Sequence, residues 1–197
     1  MVGPEQFPKW RERASRIAED DDHASAAIPA FFALLEYVDQ NDWAGACHAV
    51  SSVLYILLKE QSVPATLWVG EAWEVDHYPD HSWVAVDDAI YDVSIYLQLR
   101  DAARQISDPM KRVPIFRGID LVTSLPTHLK YGVTSGYGDG PFVHNIKRVP
   151  WTQYMDAYPG HLAGLWGVAQ TIGNQLGLVL EPEVLKTKYA DMKWHIT

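Results

Sequence analysis

Cysteine is almost missing from this chain: Cys47 is the only one in 197 residues. An intrachain disulfide is therefore excluded, and no second thiol competes for any chemistry Cys47 performs. Basic residues are also scarce. Sixteen Lys and Arg against 25 Asp and Glu leave a net charge of −9. That balance argues against nucleic acid as a main partner, because phosphate binding needs a basic surface. Lys147 and Arg148 are too few to build one locally. No apolar run approaches the length of a membrane span, so no membrane partner is expected. The first residues, Met1-Val-Gly-Pro-Glu-Gln6, lack the charged and apolar regions of a secretory leader. Internal repeats and low-complexity tracts are absent too. The expectation is a soluble, cytoplasmic protein, a compartment that suits a lone reduced thiol.

What the chain does have is the material of a packed domain. Hydrophobic residues make up 48% and charged residues 21%, the balance of a globular protein long enough to bury a core. Eight Trp and ten Tyr exceed what a core of this size needs, and amphipathic rings also suit a groove for a polar ligand.

The chain begins helical and then changes period. Residues 7–22 have helical composition, with Pro8 suited to a first turn and the acidic run Glu19–Asp22 as a solvated end or linker. Residues 24–40 carry Ile28, Phe31, Phe32, Leu34, Leu35 and Val38 near helical spacing, with Pro29 expected to start or kink the regular part. A third helix over 45–60 buries Val50, Val53, Leu54, Leu57 and Leu58. Strand composition then takes over in 65–75, 81–86 and 90–93. Residues 95–106 read as a short helix, 131–141 as a glycine-rich loop, 161–176 as a helix with Leu162, Leu165, Trp166, Ala169 and Ile172 on one side, and 181–191 as a last helix. One domain is expected: N-terminal helices over 1–42, a core over 43–94 and an extension over 95–197. Its class is α+β, with helical N- and C-terminal parts.

The chemistry lies in an ordered trio. Cys47 stands in the first turn of the third helix with Gly45 as its cap, His81 at a strand start, and Asp92 on the next strand. A thiol with a free pKa of about 8.5 is a poor nucleophile at neutral pH. The helix dipole contributes only about 0.3–1 kcal/mol, less than the roughly 1.4 kcal/mol of one pKa unit. A neighbouring imidazolium is required, and a carboxylate to orient it. The turn between the strands decides whether the trio can form. If Asp87 and Asp88 alone make it, Trp83 pairs with Asp92, and Asp92 shares a sheet face with His81 at roughly 7–8 Å between backbones. A three-residue turn would place Asp92 on the other face.

Residues 43–94 resemble the core of the transglutaminase-like superfamily, which shares the papain-related fold. The matching stretches are Gly45-Ala-Cys47-His-Ala49, Asp80-His81-Ser-Trp-Val-Ala-Val86 and Tyr91-Asp92-Val-Ser94. The resemblance implies a nucleophile helix packed on an antiparallel sheet, with Cys47 as nucleophile, His81 as general base and Asp92 as orienting acid. It implies a cysteine-dependent hydrolase or acyltransferase (protease, amidase or amine acyl transfer) working through a thioester on a peptide, protein or small acyl or amide substrate. No cofactor and no metal is implied. It covers about a quarter of the chain and does not fix the reaction. Gln40, Asn41 and Trp43 precede the nucleophile and are candidate oxyanion donors beside the Cys47 N–H. Trp83, Tyr131, Tyr137 and Phe142 are candidates for the substrate cleft. The alternative is a binding or scaffold protein that keeps such a fold without turnover.

Three other features compete. Asp76-His77-Tyr-Pro-Asp80-His81 has the composition of a metal site, but Pro79 prevents a regular helix and the spacing fits no ligand motif. His48 should point away from Cys47, since neighbouring helix positions do not share a face, and reads as a surface or supporting residue. Gly136-Tyr-Gly-Asp-Gly140 lacks the spacing of a phosphate loop.

Overall fold

The computed structural model describes residues 2–73, 77–99, 109–132, 146 and 148–197. They form a mixed α/β arrangement of the α+β type, with six α-helices and nine strands among these residues.

Helix α1 (Phe7–Ile17) follows a short 3-10 turn, and α2 spans Asp22–Gln40. The acidic run between them is not a trailing end of α1. Asp21 caps α2, its Oδ1 accepting from the Ala24 N–H at 2.8 Å, where a carboxylate complements the positive end of the dipole. Pro29 neither starts nor interrupts α2, which continues through it. Helix α3 (Cys47–Glu60) carries the expected stripe, and Ala46 rather than Gly45 occupies its N-cap position. Gly45 instead turns the chain with φ 66° and donates its N–H to the Leu97 carbonyl. Such a φ suits a residue without Cβ.

Strands β1 (Ala65–Trp73), β2 (His77–Val86) and β3 (Ala89–Tyr91) form an antiparallel meander. Val86 pairs with Ala89, leaving the two-residue turn Asp87-Asp88 with φ 48° and 63°. Two successive positive φ values match the twist of a tight hairpin. The expected helix over 95–106 does not form in its described part. Ser94–Tyr96 is one 3-10 turn, and β4 (Leu97–Leu99) pairs with β5 (Pro109–Lys111). Ile95, Tyr96, Leu97 and Gln98 are all buried, so the segment has no polar face for a surface helix to turn outward.

Strands β6 (Ile115–Phe116) and β7 (Ile119–Asp120) make a small hairpin. Strands β8 (Lys130–Tyr131) and β9 (His195–Ile196) both add to β1. Helix α4 (Trp151–Ala157) has no counterpart in the sequence reading. Helix α5 (Gly164–Gln175) is shorter than expected and leaves Leu162 fully exposed before its start, while α6 spans Pro182–Lys188. Helix α3 is the hub: it packs against α2, α5, β1 and β2. Its Val50, Val53, Leu54 and Leu57 join Leu67, Val84 and Val86 of the sheet in one core.

Candidate active site

The site forms where the sheet stops. Strand β3 is three residues long, so its ladder with β2 ends at Val84↔Tyr91. Asp92 then leaves β2 and bridges Ile115 through both backbone bonds. Beyond that point α3 comes against β2: Ser51 Oγ donates to the Ser82 carbonyl at 2.7 Å. This brings the N-terminus of α3, and with it Cys47, beside Asp80 and His81. As a neutral thiol, Cys47 donates to the Asp80 carbonyl at 3.8 Å.

The two-residue turn forms, but the expected Trp83↔Asp92 pairing does not, since the ladder stops at Val84↔Tyr91 and Asp92 bridges Ile115; the His81 and Asp92 side chains nevertheless meet. His81 Nε2 lies 2.7 Å from Asp92 Oδ2, with both side chains essentially sealed from solvent. An ionised carboxylate only accepts, so Nε2 carries the proton in this bond. The other group acting on His81 is Cys47, which works with Asp92 to raise the imidazole. Asp92 is held from several sides. Tyr131 donates its hydroxyl to Oδ2 at 2.8 Å, and Oδ1 accepts from Ser94 Oγ at 2.7 Å and the Ile95 N–H at 3.1 Å.

These contacts set the charges. Burial pushes the Asp92 carboxyl up, but the His81 charge and the hydrogen bonds from His81, Ser94 and Tyr131 overcome it and hold the group below its ordinary value. Burial pushes His81 down, and Asp92 with Cys47 reverses this, raising the imidazole to about 10. For Cys47, burial raises the thiol and the Asp80 charge adds to that. The charge of His48 and the hydrogen bond and charge of His81 prevail, so the net shift is downward. The arrangement therefore shifts Cys47 toward its thiolate and His81 toward its imidazolium.

The remaining expected residues divide. Asn41 and Trp43 commit their side-chain donors elsewhere: Asn41 Nδ2 to the Tyr37 carbonyl at 2.8 Å and Trp43 Nε1 to the Tyr158 hydroxyl at 2.6 Å. Gln40 is the exposed last residue of α2. Cys47 is the first residue of α3, so its N–H belongs to the first-turn groups that have no partner within the helix. Trp83 is buried and stacks on His81 with ring centroids 6.4 Å apart, and Tyr131 packs on Trp83 at 5.0 Å. Both rings are thus walls of the His81–Asp92 pair. Tyr137, Phe142 and Gly136–Gly140 lie outside the described residues, as do Asp76 and the His77 side chain. From the same long segment, Ile146 is buried against Val69 and Trp194.

Of the two places expected for His48, surface or supporting, the structure gives it the second. It is not on the surface. Its Nδ1 is hydrogen-bonded to Ser82 Oγ, and its Nε2 lies 2.8 Å from Asp80 Oδ1. The approach to Asp80 is close enough for an ion pair but too bent to align a hydrogen bond. The rule of unshared faces holds for two side chains seen from a helix axis. At the first turn of α3, however, β2 runs close enough for Cys47 and His48 both to reach it.

Comparison with protein-family models, with curated proteins and with solved structures finds no match for this chain. The site's geometry is therefore the basis for reading its function.

Proposed function

We propose that the protein is a cysteine-dependent hydrolase or acyltransferase that works through a thioester on Cys47. The observation that carries this reading is the buried, hydrogen-bonded His81–Asp92 pair at the end of the sheet, with the Cys47 thiol against the same strand at the Asp80 carbonyl. A helix bearing the thiol, set against an antiparallel sheet bearing base and acid, also supports the transglutaminase-like and papain-like arrangement that the sequence resembles.

The chemistry would run in two halves. The Cys47 sulfur attacks an acyl carbon, and the carbonyl oxygen gains charge that the Cys47 N–H is placed to receive. The tetrahedral adduct collapses as His81 gives its proton to the departing amine or alcohol, leaving a thioester. A water or an amine then attacks that thioester. His81 takes the proton from the attacking group, and the sulfur leaves as thiolate. Asp92 fixes the imidazole so that the same nitrogen serves both halves. An amide or isopeptide bond in a peptide, protein or small acyl substrate is the target class.

Alkylation by iodoacetamide tests the reading directly. Cys47 should react at about pH 6 far faster than a free thiol, because a His81-paired thiolate persists below the ordinary thiol pKa. Cys47→Ser should retain the fold and lose both alkylation and turnover. A slow rate that rises only above about pH 8 would make Cys47 a packing residue.

A further inference from the structure

The mechanism above uses one imidazole, yet a second, that of His48, meets the same residue of β2, Asp80, as the Cys47 thiol. We propose that His48, held by Ser82 and Asp80, is a second fixed positive charge beside Cys47, a positioning residue that neutralises Asp80 and keeps the sulfur ionised. This rests on the reading of Cys47 as a nucleophile.

Cys47 and His48 engage the same residue of β2 in different ways. The thiol meets the backbone carbonyl of Asp80 at 3.8 Å, while the imidazole Nε2 meets its carboxylate at 2.8 Å. Ser82, two residues along the strand and on the same face, takes the other ring nitrogen. With Nδ1 on a hydroxyl and Nε2 against a carboxylate, His48 has no nitrogen directed at an incoming substrate. It is built to carry charge rather than to pass protons.

The charges around the sulfur show why a second cation is needed. A Cys47 thiolate with Asp80 and Asp92 makes three negative groups at one nearly dry corner. His81 answers Asp92. Without a charge on His48, Asp80 would stand unpaired beside the sulfur and drive its pKa up, as like charges do. Among the described residues, the ionisable groups facing His48 fit this account: Cys47 on α3, Asp80 and His81 on β2, and Tyr154 on α4. The rings of Tyr154 and Trp194 pack nearly perpendicular to the imidazole at 6.4 and 5.9 Å and keep water from it. Burial pushes His48 down, but the charge of Cys47 and the contact with Asp80 outweigh it and the repulsion from His81, so the net shift is upward. The charge of His48 lowers the Cys47 pKa, together with the hydrogen bond and charge of His81.

The test is the pH profile of Cys47 alkylation by iodoacetamide in wild type, His48→Gln and the double variant His48→Gln/Asp80→Asn. His48→Gln should move the reactive limb up by about one unit, roughly a tenfold slower rate near pH 6, with the rate at alkaline pH unchanged. The double variant should regain rate near pH 6, because it removes the repulsive carboxylate together with its partner. Simple loss of packing would not be repaired by a second substitution. An unshifted His48→Gln profile, or a double variant no faster than His48→Gln, overturns the proposal. If wild-type Cys47 is itself unreactive near pH 6, the nucleophile reading falls first. Should the variants fail to fold, the His48 ring resonances of wild type decide. They should show a doubly protonated imidazole at neutral pH whose pKa drops once Cys47 is alkylated; a ring indifferent to alkylation refutes the coupling.

Discussion

Tyr131 and His81 donate to the same oxygen of Asp92: the phenol at 2.8 Å and the imidazole Nε2 at 2.7 Å both end on Oδ2. Tyr131 also packs its ring against His81 and Trp83. The tyrosine thus fixes both members of the pair, from a strand added to the far edge of β1.

Tyr131→Phe keeps that ring and deletes one hydrogen bond to a buried carboxylate. Bonds to charged groups contribute roughly 1.5–3 kcal/mol, and each kcal/mol lowers Tm by about 2–4 °C in a chain of this size. A fall of several degrees is expected, with alkylation of Cys47 near pH 6 slowed less than in Asp92→Asn. An unchanged Tm would show that the phenol adds nothing to the Asp92 site.

Asp92→Asn should leave a folded protein whose turnover drops on the order of 10⁴-fold, because an amide supports neither the imidazolium nor its tautomer. Melting temperature and activity per folded molecule, measured on one preparation, separate this from a stability defect. Turnover that merely tracks the folded fraction would reduce Asp92 to a structural carboxylate.

The His81 contribution to stability should fall as pH rises across its window, while Cys47, lowered in the fold, contributes in the opposite sense there. The His81 pKa is raised in the fold to about 10 from an ordinary 6.5, so the folded protein holds a proton that the unfolded chain releases. The contribution is complete below about pH 6.5 and lost as pH climbs through about 10. Asp92 acts in the opposite sense: lowered in the fold, it contributes above its ordinary 3.8 and loses that contribution as acid protonates it. Urea denaturation of Cys47→Ser, which removes the opposing thiol, and of Cys47→Ser/His81→Gln between about pH 6.5 and 10 should show the alkaline slope flattened in the double variant. Parallel slopes would mean that His81 does not hold that proton.

Asp88→Gly should stabilise the hairpin. Asp88 sits at φ 63°, where a Cβ is strained and glycine is not, and a gain of roughly 0.5–1 kcal/mol is expected. Asp87 is left in place because its carboxylate meets His23 Nδ1 at 2.7 Å. The urea midpoint should rise with the m-value unchanged. A lower midpoint would assign the Asp88 side chain a stabilising contact.

What the sequence determined by itself is local. The stripe of α3 and the Asp87-Asp88 turn follow from side-chain period and turn chemistry, which act within about ten residues. The turn length set the β2–β3 register as far as Val84↔Tyr91, and the bridge to Ile115 then holds Asp92 where it meets His81. Tertiary structure decided what surrounds them. Asp21 reads as the tail of an acidic run until α2 starts one residue later and takes it as a cap. Leu97–Leu99 becomes a strand because β5 is there to pair with it. Tyr131 reaches Asp92 across 39 residues of sequence, and no periodicity connects them. His48 turns inward because β3 ends early and leaves β2 open to the first turn of α3. Contacts of that kind depend on where distant segments pack, and no pattern within one element encodes them.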